Sequence, residues 1–210
     1  MNDQIEQLNQ WLTGLDSKNP AEWGLLPDIG LYMDQVQTYI DRQLALYRRD
    51  ENDRLLTPAM INNYIKDNVI PRAEIKKYNP THLALLIMIG TLKQVLSIPN
   101  LSHLLSVYRE PADVEVLYNH YRQIQQGSLQ NIVEQVGSEI SKLRNAGDGS
   151  SQATNDAMRS LALELSIEAR TRILIAEKIL ALIAESWPDD NADKKKDKSK
   201  EKPKKSSEEA

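Results

Sequence analysis

Cysteine is absent from the chain, which excludes disulfides, thiolate catalysis and cysteine-ligated zinc and fits a reducing compartment. Glycine is scarce, at eight residues, and none stands in a GxGxxG or GxxxxGK string, so no loop is built to cradle phosphate. The three histidines, His82, His103 and His120, are never three or four residues apart and have no carboxylate cluster beside them. Neither a metal nor a cofactor is expected. Patterns that carry a serine nucleophile are missing. Asp113 with Glu115, and Glu164 with Glu168, read as exposed positions of ordinary helices rather than as acid–base pairs. No constellation accepts catalytic roles, so the chain is not expected to be an enzyme.

Long apolar runs are missing as well. The opening MNDQIEQLNQWLTGL has neither the basic nor the apolar region of a signal peptide. The longest uncharged apolar stretch, Leu83 to Leu92, is far too short to span a bilayer. A cytoplasmic protein without membrane contact is expected. No stretch alternates at period two for long enough to build a sheet, and no repeat of fixed period is visible.

What remains is a chain of 210 residues, 40% of them hydrophobic. That is enough for a core, although mean hydropathy is -0.52. The low value has a local cause. Residues 189–210 hold eight lysines and seven acids with almost nothing apolar, so the tail 188–210 is expected to be disordered, a solubilising end. The net charge of -4 is not that of a non-specific nucleic-acid coat, and any DNA contact must come from a local patch.

Apolar periodicity organises the rest as helices. Ile5, Leu8, Trp11, Leu12 and Leu15 predict a helix over 3–15. Asn19-Pro20 offers a cap followed by proline and predicts a short turn through Trp23. Leu31, Val36, Tyr39, Ile40, Leu44 and Tyr47 predict a helix of roughly five turns. Thr57-Pro58 opens a helix that closes at Asn68, Asn79-Pro80 opens one through Leu96, and Ser97 to Val107 forms another. Residues 112–145 follow, with an interruption near Gly127-Ser128, and AGDGSS at 146–151 reads as a joint. The last helix, 152–187, is apolar around most of its circumference and must be covered. Its Leu161, Leu165, Ile173, Ile179, Leu180 and Ile183 can pack on the same chain or on a second copy. The fold class is all-α, with room for a two-stranded wing.

Function concentrates in TPAMINNYIKDNVIP, residues 57–71. Ile61, Tyr64 and Ile65 form its buried side. Ala59, Asn62, Asn63 and Lys66 form the opposite one. Asparagine can pair bidentately with adenine in the major groove, and lysine serves guanine or phosphate. Arg72, Lys76 and Lys77 come next, opposed only by Glu74, as a turn contacting phosphate requires.

This segment resembles the MerR-type winged helix. Thr57-Pro58 match the start of the recognition helix, Ile61 a core position and Tyr64 its second tyrosine. Lys66 matches a later basic residue and Val69-Ile70-Pro71 the helix exit. Lys76-Lys77-Tyr78 match the Arg-Arg-Tyr of the wing, and Asn79 the next cap. Asn62, Asn63 and Ile65 depart from the arginine, tyrosine and acid of that pattern. Over residues 25–105, the strings LLPDIGLYMDQV, LTPAMINNYIKDNVIP, KKY and LKQVLSI are similar to an uncharacterised bacterial family, domain of unknown function 1836. The resemblance implies a MerR-like fold and a transcriptional role, with no established activity.

The resulting organisation is an N-terminal helix and lead-in (1–30), a winged helix-turn-helix-like domain (31–107), a helical C-terminal region for dimerisation or sensing (108–187) and the tail. The expected activity is binding of double-stranded DNA through Ala59, Asn62, Asn63, Lys66, Arg72, Lys76 and Lys77, with a homodimer formed through helix 152–187. The alternative is a protein–protein interaction module of the same fold that no longer binds DNA.

Overall fold

The computed structural model describes residues 3–15, 18–48, 50, 53–145 and 151–186. Seven α-helices lie among them: α1 (Asp3–Thr13), α2 (Met33–Gln43), α3 (Pro58–Lys66), α4 (Pro80–Leu92), α5 (Ile98–Leu105), α6 (Pro111–Asn145) and α7 (Ser151–Ser186). Short 3₁₀ turns occupy Trp23–Leu25 and Ala45–Tyr47. Among the described residues there is no strand, only the isolated antiparallel bridges Leu31↔Tyr78 and Glu74↔Lys77. No helix of the described residues is long and apolar enough to cross a membrane. The joint expected at 146–151 (apart from Ser151) and the tail expected at 188–210 lie outside the described residues.

Helix α4 is the axis. Its sequence is apolar on every side, and every residue from Thr81 to Gly90 is buried, as a helix without a polar face must be. Val36 and Ile40 from α2, Leu44 just past its end, Ile61 and Tyr64 from α3, and Val114 and Tyr118 from α6 close around it. Gly90 lets one neighbour come unusually near, since a Cβ there would collide with the side chain of Leu44. A second, smaller cluster joins Ile5, Leu12 and Leu15 to Val136 and Ile140 of α6 and Leu161 of α7.

Four expectations are corrected. The five-turn helix over 31–47 stops at Gln43 and tightens into the 3₁₀ turn. The turn redirects the chain so that Leu55 and Leu56 can be buried. Asn19-Pro20 caps no helix, because its neighbours are engaged by distant elements. The Ala21 N–H donates to Gln43 (2.7 Å), while Tyr118 and Arg122 donate to the carbonyls of Ala21 and Pro20. The helix from Pro80 ends at Leu92 rather than Leu96, its last turn closed by Lys93 N–H on Ile89. Helix α6 runs unbroken through Gly127, where a single glycine weakens a long helix by only about 1 kcal/mol.

Helix α7 is covered on one side alone. Leu161 and Leu180 are buried, whereas Leu163, Ile167, Leu174, Ile175, Ile179 and Leu182 are each more than half exposed. The packed side meets α5 and the second cluster.

Candidate nucleic-acid interface

Helix α3 is short and held firmly at both ends. The Thr57 side chain accepts from the Met60 N–H (3.3 Å), with Pro58 at the first helical position. That is the cap-and-proline arrangement its sequence announced. At the far end Asn68 takes φ 55, a left-handed residue that asparagine tolerates. Its carbonyl is taken by the guanidinium of Arg109. Arg109 is a positioning residue that sequence spacing could not reveal, because it arrives from the link between α5 and α6. Ile61 and Tyr64 are buried, while Ala59, Asn62, Asn63 and Lys66 all lie exposed. The helix therefore presents its polar side outward.

The segment after it forms a two-residue reverse turn. Ile75 (φ 48) and Lys76 (φ 62) both occupy the left-handed region, and Lys77 N–H closes the turn on Glu74 (2.8 Å). These are the signs of a hairpin turn with positive φ at both central residues. Asn-Gly or Asp-Gly usually marks such a turn, and Ile-Lys gives no such signal. A β-branched residue held there stores on the order of 1–3 kcal/mol of strain. Ile75 nevertheless points into solvent, 91% exposed. The base of the turn is pinned to the lead-in of α2 by paired bonds between Leu31 and Tyr78, each 2.9 Å. Gly30 permits this approach, since a Cβ there would lie 2.8 Å from Lys77 Cβ.

Between the start of α2, α3 and this turn runs a groove of about 820 Å³. It unites Asn62, Arg72 and Lys76 with Tyr32, Asp34 and Gln37. Ala59, Asn63, Lys66 and Lys77 are exposed outside its walls. Lys66, Arg72 and Lys76 enter no ion pair among the described residues. Lys77 is differently placed, its ammonium 5.7 Å from the centroid of the Tyr32 ring, an arrangement that engages part of its charge. Gln37 leaves a side-chain N–H without a hydrogen bond. Tyr32, Asp34 and Gln37 belong to an element more than twenty residues upstream, so no local pattern could have joined them to α3. The groove can grip an acceptor-rich, negatively charged ligand, although Asp34 opposes it at one wall.

His82 ties the turn to the core. It is 3% exposed, lies edge-on to Tyr78 at 5.5 Å, and shares a capping box with Asn79 at the start of α4. Burial holds its pKa below the ordinary value, an effect that the nearby carbonyls of Arg72 and Pro71 and the Glu74 carboxylate only partly offset. In the unfolded chain this imidazole gains a proton more readily. Stability is therefore full above about pH 6.5 and falls as the pH drops below it toward the lowered folded value. His82→Gln keeps a side chain suited to the capping box and removes the titration. The melting temperature of wild type is expected to fall more than that of H82Q between pH 7.5 and about pH 5.5. Equal losses in the two proteins would rule out this role for His82.

Residues 21–121 match the family model described as Domain of unknown function (DUF1836), a longer stretch at both ends than the 25–105 resemblance. Those limits coincide with the first core, whose packed residues run from Ala21 to Tyr121. No curated protein and no solved structure matches the chain.

Proposed function

We propose that the protein binds duplex DNA as a transcriptional regulator of the MerR-like winged-helix kind, reading it with α3 and holding it with the turn 71–78. One observation carries this reading. Asn62, on the outer side of a firmly capped helix, lines one groove with Arg72 and Lys76, two cations that enter no ion pair among the described residues. Asn62 and Asn63 face the base edges in the major groove, Lys66 joins them, and Arg72, Lys76 and Lys77 neutralise phosphate. The two classes separate on mutation. Asn62→Ala or Asn63→Ala is expected to cost on the order of 1–3 kcal/mol at a site selected from random duplex DNA, while sparing non-specific binding. A loss of equal size on every sequence would refute base reading by α3.

Regulators of this kind work as dimers on two half-sites. In this reading the uncovered side of α7, with Ile167 and Leu174 near its middle, meets the same helix of a second copy. A second reading, a protein–protein interaction module of the same fold, draws on Ile75, an apolar side chain held out at the tip of the turn, and on Asp34 in the groove.

A further inference from the structure

Ile75 is the most exposed large apolar side chain among the described residues, at 91%. A lone apolar residue on a surface needs no explanation by itself. This one carries a second cost, because it holds φ 48, a left-handed backbone that a β-branched residue rarely adopts. Asparagine or glycine would sit there with little strain. Its place in the turn is also fixed. Lys77 N–H closes on the Glu74 carbonyl at 2.8 Å, and Leu31 and Tyr78 exchange both backbone bonds directly below. An apolar group held outward in a strained backbone belongs to a functional tip more readily than to packing.

The turn around it is cationic. Arg72 and Lys76 line the groove that also holds Asn62 of α3, and neither enters an ion pair among the described residues. Lys77 lies against the Tyr32 ring. Glu74 is the single acid between residues 71 and 78. A duplex with α3 in its major groove sets one sugar–phosphate strand against Arg72 and Lys76. The minor groove begins across that strand and is about 6 Å wide, and the residue that precedes Lys76 reaches into it.

On the DNA reading proposed above, we infer that Ile75 is a minor-groove wedge. Its side chain enters between two base pairs beside the α3 site, unstacks them and kinks the duplex toward the major groove. Isoleucine, leucine, methionine and phenylalanine all serve as such wedges in minor-groove proteins. The wedge takes a pyrimidine–purine step, because TA and CA/TG steps unstack most easily. The turn then contributes to sequence selection without a hydrogen bond to any base, next to the base edges that Asn62 and Asn63 read.

The full-length chain is mixed with a short duplex selected from random DNA and labelled at its ends with a donor and an acceptor dye. Energy transfer is expected to rise on binding, as a kink of about 20–90° brings the ends together. 2-Aminopurine placed at each purine of the site in turn should brighten at one pyrimidine–purine step. Ile75→Asn is expected to abolish both signals while melting at a higher temperature than wild type, since the left-handed strain is relieved. Its affinity for random duplex DNA at low salt should stay within about twofold of wild type, because every cation remains. Ile75→Leu keeps an apolar wedge and should retain the kink. Replacing the step by a stiff A-tract is expected to weaken wild type on the order of tenfold and I75N not at all. A duplex bound without a kink, or a kink unchanged in I75N, would overturn the wedge and leave base reading by α3 intact. No binding by wild type to any duplex at low salt would remove the DNA reading and the wedge with it, and assign the tip to a protein partner.

Discussion

Arginine at both Ile167 and Leu174 is expected to convert the proposed dimer into monomers of 23.9 kDa, with intact helical content. Both side chains are more than half exposed, at 58% and 56%, so nothing in the chain's own core depends on them, and substitutions at such sites usually change folding stability by less than about 0.5 kcal/mol. At a symmetric interface each substitution would appear twice and bury unpaired charge, a change that commonly costs several kcal/mol. Light scattering reads the mass, and thermal melting of the isolated monomer reads the fold. DNA affinity should fall in parallel by a factor of at least about one hundred, because each monomer keeps only half the phosphate and base contacts. A variant that stays dimeric would place the interface elsewhere. A wild-type chain that is already monomeric would leave the apolar side of α7 with another occupant.

Leucine at Gly90 is expected to destabilise the protein by at least the upper part of the range about 1–3 kcal/mol for overpacking a core. Propensity alone argues the reverse, since glycine in a helix interior is about 0.8–1.0 kcal/mol worse than the best residues. Space overrides it. The added side chain would run into Leu44, itself fully buried, and α2 and α3 share the core that would have to yield. Leucine at Gly127 provides the matched control, because a Cβ there meets nothing within 4 Å. That variant should gain up to about 1 kcal/mol from propensity. Chemical denaturation of both variants settles the comparison. The same sign at both positions would contradict the packing described for α4.

These two glycines show where sequence reading holds and where it stops. An interruption was expected at Gly127 and none at Gly90, yet helix runs through both, and only the neighbour across the core distinguishes them. Cap-and-proline signatures were reliable at Thr57 and Asn79, whose side chains bond within their own turn. The same signature misled at Asn19-Pro20, where Gln43, Tyr118 and Arg122 hold the backbone from afar. In α3 the spacing of Ile61 and Tyr64 was sufficient to place Asn62 and Asn63 outward, because period and burial agree along a single helix. The groove was less legible. Arg72 and Lys76 stood out as a basic turn, yet Tyr32, Asp34 and Gln37 reach it through the Leu31–Tyr78 bridge, a pairing across nearly fifty residues. Ile75-Lys76 lacks the Asn-Gly signal for the turn it forms.

The most direct test of DNA binding compares wild type with the triple variant Lys66→Ala, Arg72→Ala, Lys76→Ala on random duplex DNA across a salt series. Both proteins retain every lysine of residues 189–210, so a difference between them reports on the α3 surface alone. Fluorescence anisotropy is expected to show saturable binding by wild type. The plot of log affinity against log salt for the variant should be flatter by about 0.9 for each of the three phosphate contacts removed, or by less if Lys66 serves a base instead. Identical slopes, or no binding by wild type at low salt, would contradict the account and leave the interaction module as the function of this fold.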